Sequence, residues 1–119
     1  MLEKKITPAI LRSVRDDMRF GSCAVEIKVC PGYTLGRAAL KEHQRRNLTI
    51  AREQALYWKI GDDSIGLKPF DGFILKKSEA YLVVYFGGAK EAWAISAEKI
   101  PMGAILYEWC QKYGIKVNL

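Results

Sequence analysis

The stretch AVEIKVCPGYTLGRAALKEHQRRNL, residues 24–48, changes its period half-way along. Through Cys30 it alternates: Val25, Ile27 and Val29 fall on one side, Ala24, Glu26, Lys28 and Cys30 on the other. Alternation places successive side chains on opposite faces of a pleated strand. PGYTLG is dense in turn residues, and from about Leu35 to Arg52 the apolar residues recur at helical spacing. At 100° per residue Leu40, Leu48 and Ala51 share one arc, and Gln44 falls in its middle. A strand that leads into a helix with one apolar face is the start of an α/β unit.

Working outward, Thr7-Pro8 has the residue types of an N-cap and a first helical position. They predict a helix to about Phe20, with Ile10, Leu11, Val14 and Met18 as its stripe and Gly21 as its end. Downstream, ALYWKI, PFDGFIL, AYLVVYF and AWAISAEKI predict strands, joined through GDDSIGLK, KKSE and GGAKE. Pro101 opens a predicted C-terminal helix through about Lys112, stopped near Gly114. Helix, strand, helix, several strands and a last helix give an α/β fold, a mixed β-sheet flanked by helices. There is no repeat or low-complexity segment, so residues 1–119 are expected to be one domain.

Half the residues are hydrophobic and 27% are charged, ordinary for a globular domain. No apolar run approaches the roughly 20 residues that span a bilayer, and MLEKKITPAI has no apolar core of a signal peptide. No membrane association is expected. Three cysteines form no C-x-x-C pair and leave one over in any pairing. They argue for a reducing, cytoplasmic setting and against a disulfide scaffold or a zinc site. His43 is the one histidine, which leaves little material for histidine relays. The net charge of +6 and pI near 9.3 favour an anionic partner, nucleic acid first.

Glu26 and Lys28 carry the sharpest chemical signal. An acid-x-Lys triplet is common, about one by chance in a chain of this length. Here both charges sit on one face of a strand whose other face is wholly apolar; an ion pair on a solvated edge would give the same pattern. Gln44, on the arc that should pack against the sheet, needs polar partners, since an unpaired buried amide costs about 1–3 kcal/mol. Glu26 and Lys28 are its nearest candidates. Arg37, Lys41, Arg45 and Arg52 form a basic arc beside it, suited to a phosphate backbone. In KPFDGF, Asp71-Gly72 reads either as a hairpin turn or as part of a strand that begins at Phe70 and carries Asp71 on its surface. The run Phe73-Ile74-Leu75 favours the strand.

An acid on one strand, Glu-x-Lys on another and a helix bearing Gln behind them resembles the PD-(D/E)XK nuclease superfamily. AVEIKVCPGYTLGRAALKEHQRRNL is similar to the strand–helix segment of RecU-type Holliday-junction resolvases, and AYLVVYFGGAKEAWAISAEKI resembles the strand pair that closes that fold. The likeness covers roughly residues 20 to 100. One departure is plain: in the family the acidic strand precedes Glu-x-Lys, whereas here KPFD follows the helix, so the motif order is permuted.

The resemblance implies a restriction-endonuclease-like core and an Mg²⁺-dependent endodeoxyribonuclease, with Mn²⁺ as an alternative ion. It makes Asp71, Glu26 and the Ile27 carbonyl the metal ligands, with Asp62 and Asp63 in reserve for Asp71. Glu26, Lys28, Asp71 and Gln44 would be the catalytic set, and Arg37, Lys41, Arg45 and Arg52 the DNA contacts. Resolvases of this type cut four-way junctions as two-fold dimers, so branched DNA and a homodimer are expected. Two rivals remain: a nuclease-like module that binds DNA without cutting, and a plain α/β interaction domain.

Overall fold

Strand β1 (Cys23–Cys30) lies at the edge of a four-stranded mixed sheet in the order β1-β5-β6-β8. The computed structural model of the protein describes residues 2–54, 56–59, 71–76 and 78–119. β5 (Glu79–Phe86) pairs parallel with β1, β6 (Glu91–Ser96) antiparallel with β5, and β8 (Ile115–Val117) antiparallel with β6. A parallel pair needs a long crossover. It is supplied by helix α2 (Glu42–Glu53) and an antiparallel ribbon of β3 (Leu56–Lys59) and β4 (Gly72–Leu75). The α/β class with a mixed sheet is therefore as the sequence predicts.

Helices cover both faces. Helix α1 (Leu2–Asp16) packs Ile10 and Val14 on Tyr81, Val83, Tyr85, Ala92, Ala94 and Val117, joined by the inward side of β1 at Val25, Ile27 and Val29. On the opposite face α2 and the short α3 (Tyr107–Tyr113) bury Leu48, Ala51 and Cys110 against Ala80, Leu82, Val84, Phe86 and Ile95. β5 is buried at every position from Ala80 to Phe86, which is why it reads as a continuous apolar run rather than an alternation. The Tyr81 and Tyr85 rings are core in the single chain, packed on the α1 side.

The three predicted helices differ in extent, and the predicted strand AWAISAEKI ends at Ser96, where Ala97–Lys99 form a 3₁₀ turn. α1 begins at Leu2, so Pro8 lies inside the helix instead of opening it. A mid-helix proline removes one hydrogen bond, but Pro8 is on the exposed side, and Ile6, Ile10 and Val14 form a buried column through it. The helix stops at Asp16, short of Phe20, because the next residues turn: Arg19 N–H donates to Asp17 Oδ1 at 2.9 Å, and the Arg19 guanidinium reaches the Lys116 carbonyl at 2.7 Å. Met18 is wholly exposed and Leu11 largely so.

The second predicted helix starts seven residues late. Thr34–Leu35 form β2, paired with β7 (Ile105–Leu106), and a single 3₁₀ turn (Arg37–Ala39) precedes α2. The same pairing delays the third helix, whose first residue is Tyr107 and not Pro101; Tyr107 N–H donates to the Tyr33 carbonyl at 2.9 Å. Gly114 closes it as expected. β8 was not predicted: three residues are too few to show a period. The Phe70 start proposed for the acidic strand, and Asp62 and Asp63, lie outside the described residues.

Candidate functional site

Glu26 pairs in register with Leu82, and Lys28 with Val84. Both neighbours are fully buried core on the side covered by α2. The edge position leaves the two charged side chains half-buried. Neither makes a hydrogen bond or ion pair with a described residue. A charge withdrawn from water is costly unless it is paired, and a carboxylate and an ammonium two positions apart on one strand face would be expected to turn toward each other if nothing else held them. They do not. The placement on the α2 face agrees with the alternation read from the sequence.

A second half-buried glutamate shows what a satisfied one looks like. Glu91 Oε1 accepts the Tyr107 hydroxyl at 2.6 Å and the Trp93 indole N–H at 3.1 Å, and Lys116 Nζ lies 3.4 Å from Oε2. These partners, Tyr107 first, hold its carboxyl below the ordinary glutamate range. This knot ties α3 to β6 and β8, and its carboxylate is fully engaged. Sequence reading passed over it; Glu-x-Trp on one strand face was the available signal, but the tyrosine arrives from sixteen residues away.

Gln44 is half-buried at the third position of α2. Its Oε1 accepts the Lys41 backbone N–H at 3.0 Å, closing half of a capping box. Part of the amide's need for partners is met at the helix end and not across the sheet. The four predicted basic contacts divide. Arg45 donates to the carbonyls of Ile100 and Pro101 at 3.3 and 3.0 Å. Arg52 pairs with Glu98 at 2.9 Å and lies 3.7 Å from Glu79. Both brace α2 against neighbouring chain. Arg37 and Lys41 are exposed, with no side-chain partner among the described residues. His43 is exposed on α2, and Arg46, which sequence reading left out, is exposed there too.

Asp71 is exposed and immediately precedes β4. The β3–β4 ribbon is a separate sheet, and β1 has β5 as its hydrogen-bonded neighbour in the four-stranded one. The structure therefore does not set Asp71 on the strand next to Glu26. Among the described residues no group of three or more His, Cys, Asp or Glu side chains is placed to hold a metal. The Glu26 carboxylate is half-buried and has no donor among the described residues; an oxygen of this kind is one a hard divalent ion can take, and Mg²⁺ keeps several waters and needs few protein ligands.

The thiols are poor nucleophiles. Burial raises Cys23 and Cys30, and pushes Cys110 up to about 12, so all three stay protonated. Cys30 fills space in the core. Among the described residues no helix is long and apolar enough to cross a membrane. Comparison with protein-family models, with curated proteins and with solved structures gives no match to this chain.

Proposed function

We propose that this chain is a metal-dependent DNA endonuclease domain of the PD-(D/E)XK type, resolvases of branched DNA included, with its reaction centre at Glu26 and Lys28. One observation carries the reading. An acid and an ammonium are held half out of water on a face that is otherwise core, and neither has a side-chain partner among the described residues. A fold that pays for such a pair without satisfying it leaves it for something else to satisfy. A divalent cation and a phosphate do so together.

The roles follow from charge. Glu26, with Asp71 and the Ile27 carbonyl, would hold the ion; Asp62 or Asp63 would replace Asp71 if the ribbon keeps it away. The bound ion supplies Lewis-acid polarisation of the phosphodiester and a more acidic water. Lys28 supplies positive charge where negative charge grows on the phosphorus oxygens. Gln44 fixes the start of α2 through Lys41 and so positions the helix that packs beside β1. Arg37 and Lys41 contact the backbone electrostatically, whereas Arg45 and Arg52 support the fold. The reading includes a homodimer, since two symmetric strands of a junction call for two centres, and an intracellular setting with reduced thiols.

The test is direct. Purified protein is incubated with labelled four-way-junction and linear duplex DNA, in Mg²⁺ or EDTA, beside Glu26→Gln. Cutting that needs Mg²⁺ and disappears with Glu26→Gln is the expected result. Salt-sensitive binding by both proteins without cutting would replace it with the second reading, a DNA-binding module, which the separation of the Asp71 ribbon from β1 favours. Neither binding nor cutting would leave a plain interaction domain.

A further inference from the structure

The loop after β1 holds an aromatic ring for which the cleavage reading has no use. Tyr33 is 56% exposed, yet it is fixed. Its hydroxyl donates to the Gly88 carbonyl at 2.8 Å, and its ring meets Tyr107 edge-on with centroids 5.7 Å apart. Position 88 has no room for a side chain, because a Cβ there would fall 2.5 Å from Tyr33 Cε2. A ring immobilised beforehand loses little further freedom when something stacks on it.

Beside the ring is a cleft of about 140 Å³ lined by Tyr33, Thr34, Leu106, Tyr107 and Glu108. An enclosed cavity of about 150 Å³ binds one benzene, so this cleft, open to solvent on one side, has room for one base and not for two. Its rim is acidic: Glu108 is exposed and has no hydrogen bond or ion pair with a described residue. A carboxylate repels phosphate but accepts from the exocyclic amine of cytosine, adenine or guanine. Arg37 and Lys41, the next cations along the chain, are exposed and have no side-chain partner among the described residues, which suits them to the backbone.

We infer that this cleft captures one unpaired nucleobase, stacked on Tyr33 and read by Glu108 through its exocyclic amine. The inference rests on the nuclease reading and names its substrate class: DNA in which a base is already out of the stack, as at a branch or a single-stranded flap. A base inside an intact duplex must first be unstacked and unpaired; one at a branch need not be. Chain connectivity keeps the cleft near the proposed centre, since the five residues from Lys28 to Tyr33 span at most about 18 Å.

The experiment uses the whole chain in EDTA, where nothing is cut, with short oligothymidylates carrying one 2-aminopurine, one cytosine or neither. Binding should quench the 2-aminopurine emission. Tyr33→Leu should weaken binding by about tenfold or more, while Tyr33→Phe, which keeps the ring, should not. Glu108→Ala, at an exposed position, should abolish the preference for the cytosine-bearing strand. Thermal unfolding of each variant checks that it folds. Unchanged affinity in Tyr33→Leu, unquenched emission on binding, or a cytosine preference that survives Glu108→Ala would overturn the inference. If these results hold but the wild type cuts nothing in Mg²⁺, the nuclease reading falls and base capture stands. If the wild type cuts and they fail, base capture falls alone.

Discussion

Glu26 and Glu91 are both half-buried glutamates on strands, and their surroundings are opposite: among the described residues three donors gather at Glu91 and none at Glu26. On the proposed reading, the contrast separates a residue kept for the fold from one kept for a ligand. Replacing Lys28 by Met or Glu26 by Gln should leave stability in urea unchanged or raise it by up to about 1 kcal/mol, while any cutting is lost; active sites commonly carry such a trade-off. A clear drop in stability would mean that the two charges serve the fold after all. Glu91 should behave the other way. Its folded carboxyl titrates below the ordinary range, chiefly because the Tyr107 hydroxyl donates to the charged form. It therefore contributes stability that is present above the unfolded glutamate value and lost as pH falls through the folded one. Between neutral pH and that acid range the wild type should lose more stability than Glu91→Gln, measured by urea midpoints across the pH series. Equal losses would show that the Tyr107 contact does not favour the ionised form. The alternation of residues 24–30 made the facing of Glu26 and Lys28 legible; their lack of partners was not, because it depends on what every other element brings near.

Helix α2 shows where reading by period stops. Its buried arc, Leu48 and Ala51, was legible from spacing alone. The duties of its arginines were not, since their partners come from about fifty residues later: Ile100 and Pro101 for Arg45, Glu98 for Arg52. A basic arc on a helical wheel looks the same whether it faces phosphate or a neighbouring turn. The two cases are separable by measurement. Arg45→Ala leaves two carbonyls without a charged donor and should cost about 1–2 kcal/mol of stability, with little effect on how DNA affinity depends on salt. Arg37→Ala and Lys41→Ala should leave stability alone and each reduce the slope of log affinity against log salt by about 1. If Arg45→Ala lowers the slope and Lys41→Ala does not, the division of the four cations made here is wrong. The turn from β5 to β6 is set more tightly. Gly87 N–H donates to the Cys30 carbonyl at 2.8 Å, and a Cβ on Gly87 would fall 2.9 Å from the Pro31 carbonyl oxygen. That neighbour is backbone and cannot rotate away, so Gly87→Ala should cost on the order of 1–3 kcal/mol, the usual range for overpacking. Calorimetric or urea unfolding measures it, and an unchanged midpoint would mean that the loop after β1 yields easily.

At the scale of the molecule, the class of fold was legible because its central features are local: a buried β5, an alternating β1 and helices with one apolar stripe. The place of Asp71 after helix α2 was legible too, as order along the chain. What order cannot give is adjacency. Asp71 opens β4 of a separate ribbon, so the proximity of a second carboxylate to Glu26 depends on how that ribbon packs. Cation linkage addresses this without relying on catalysis. An ion that binds the folded state alone stabilises it by RT ln(1 + [L]/Kd), about 2.7 kcal/mol at a hundredfold excess over Kd. Mg²⁺ should therefore raise the unfolding temperature of the wild type in a concentration-dependent way and leave Glu26→Gln nearly where it is in EDTA. The acids are then sorted by the same curve. Asp71→Asn should flatten the Mg²⁺ response if the ribbon brings that carboxylate to β1; if Asp71→Asn responds like the wild type and Asp62→Asn or Asp63→Asn does not, the preceding connection supplies the ligand. A response in the wild type that Glu26→Gln retains would place the ion elsewhere. No response in any of them up to millimolar Mg²⁺ would remove the ion from the free protein. On the proposed reading, Glu26 and Lys28 would then await a phosphate that brings its own cation.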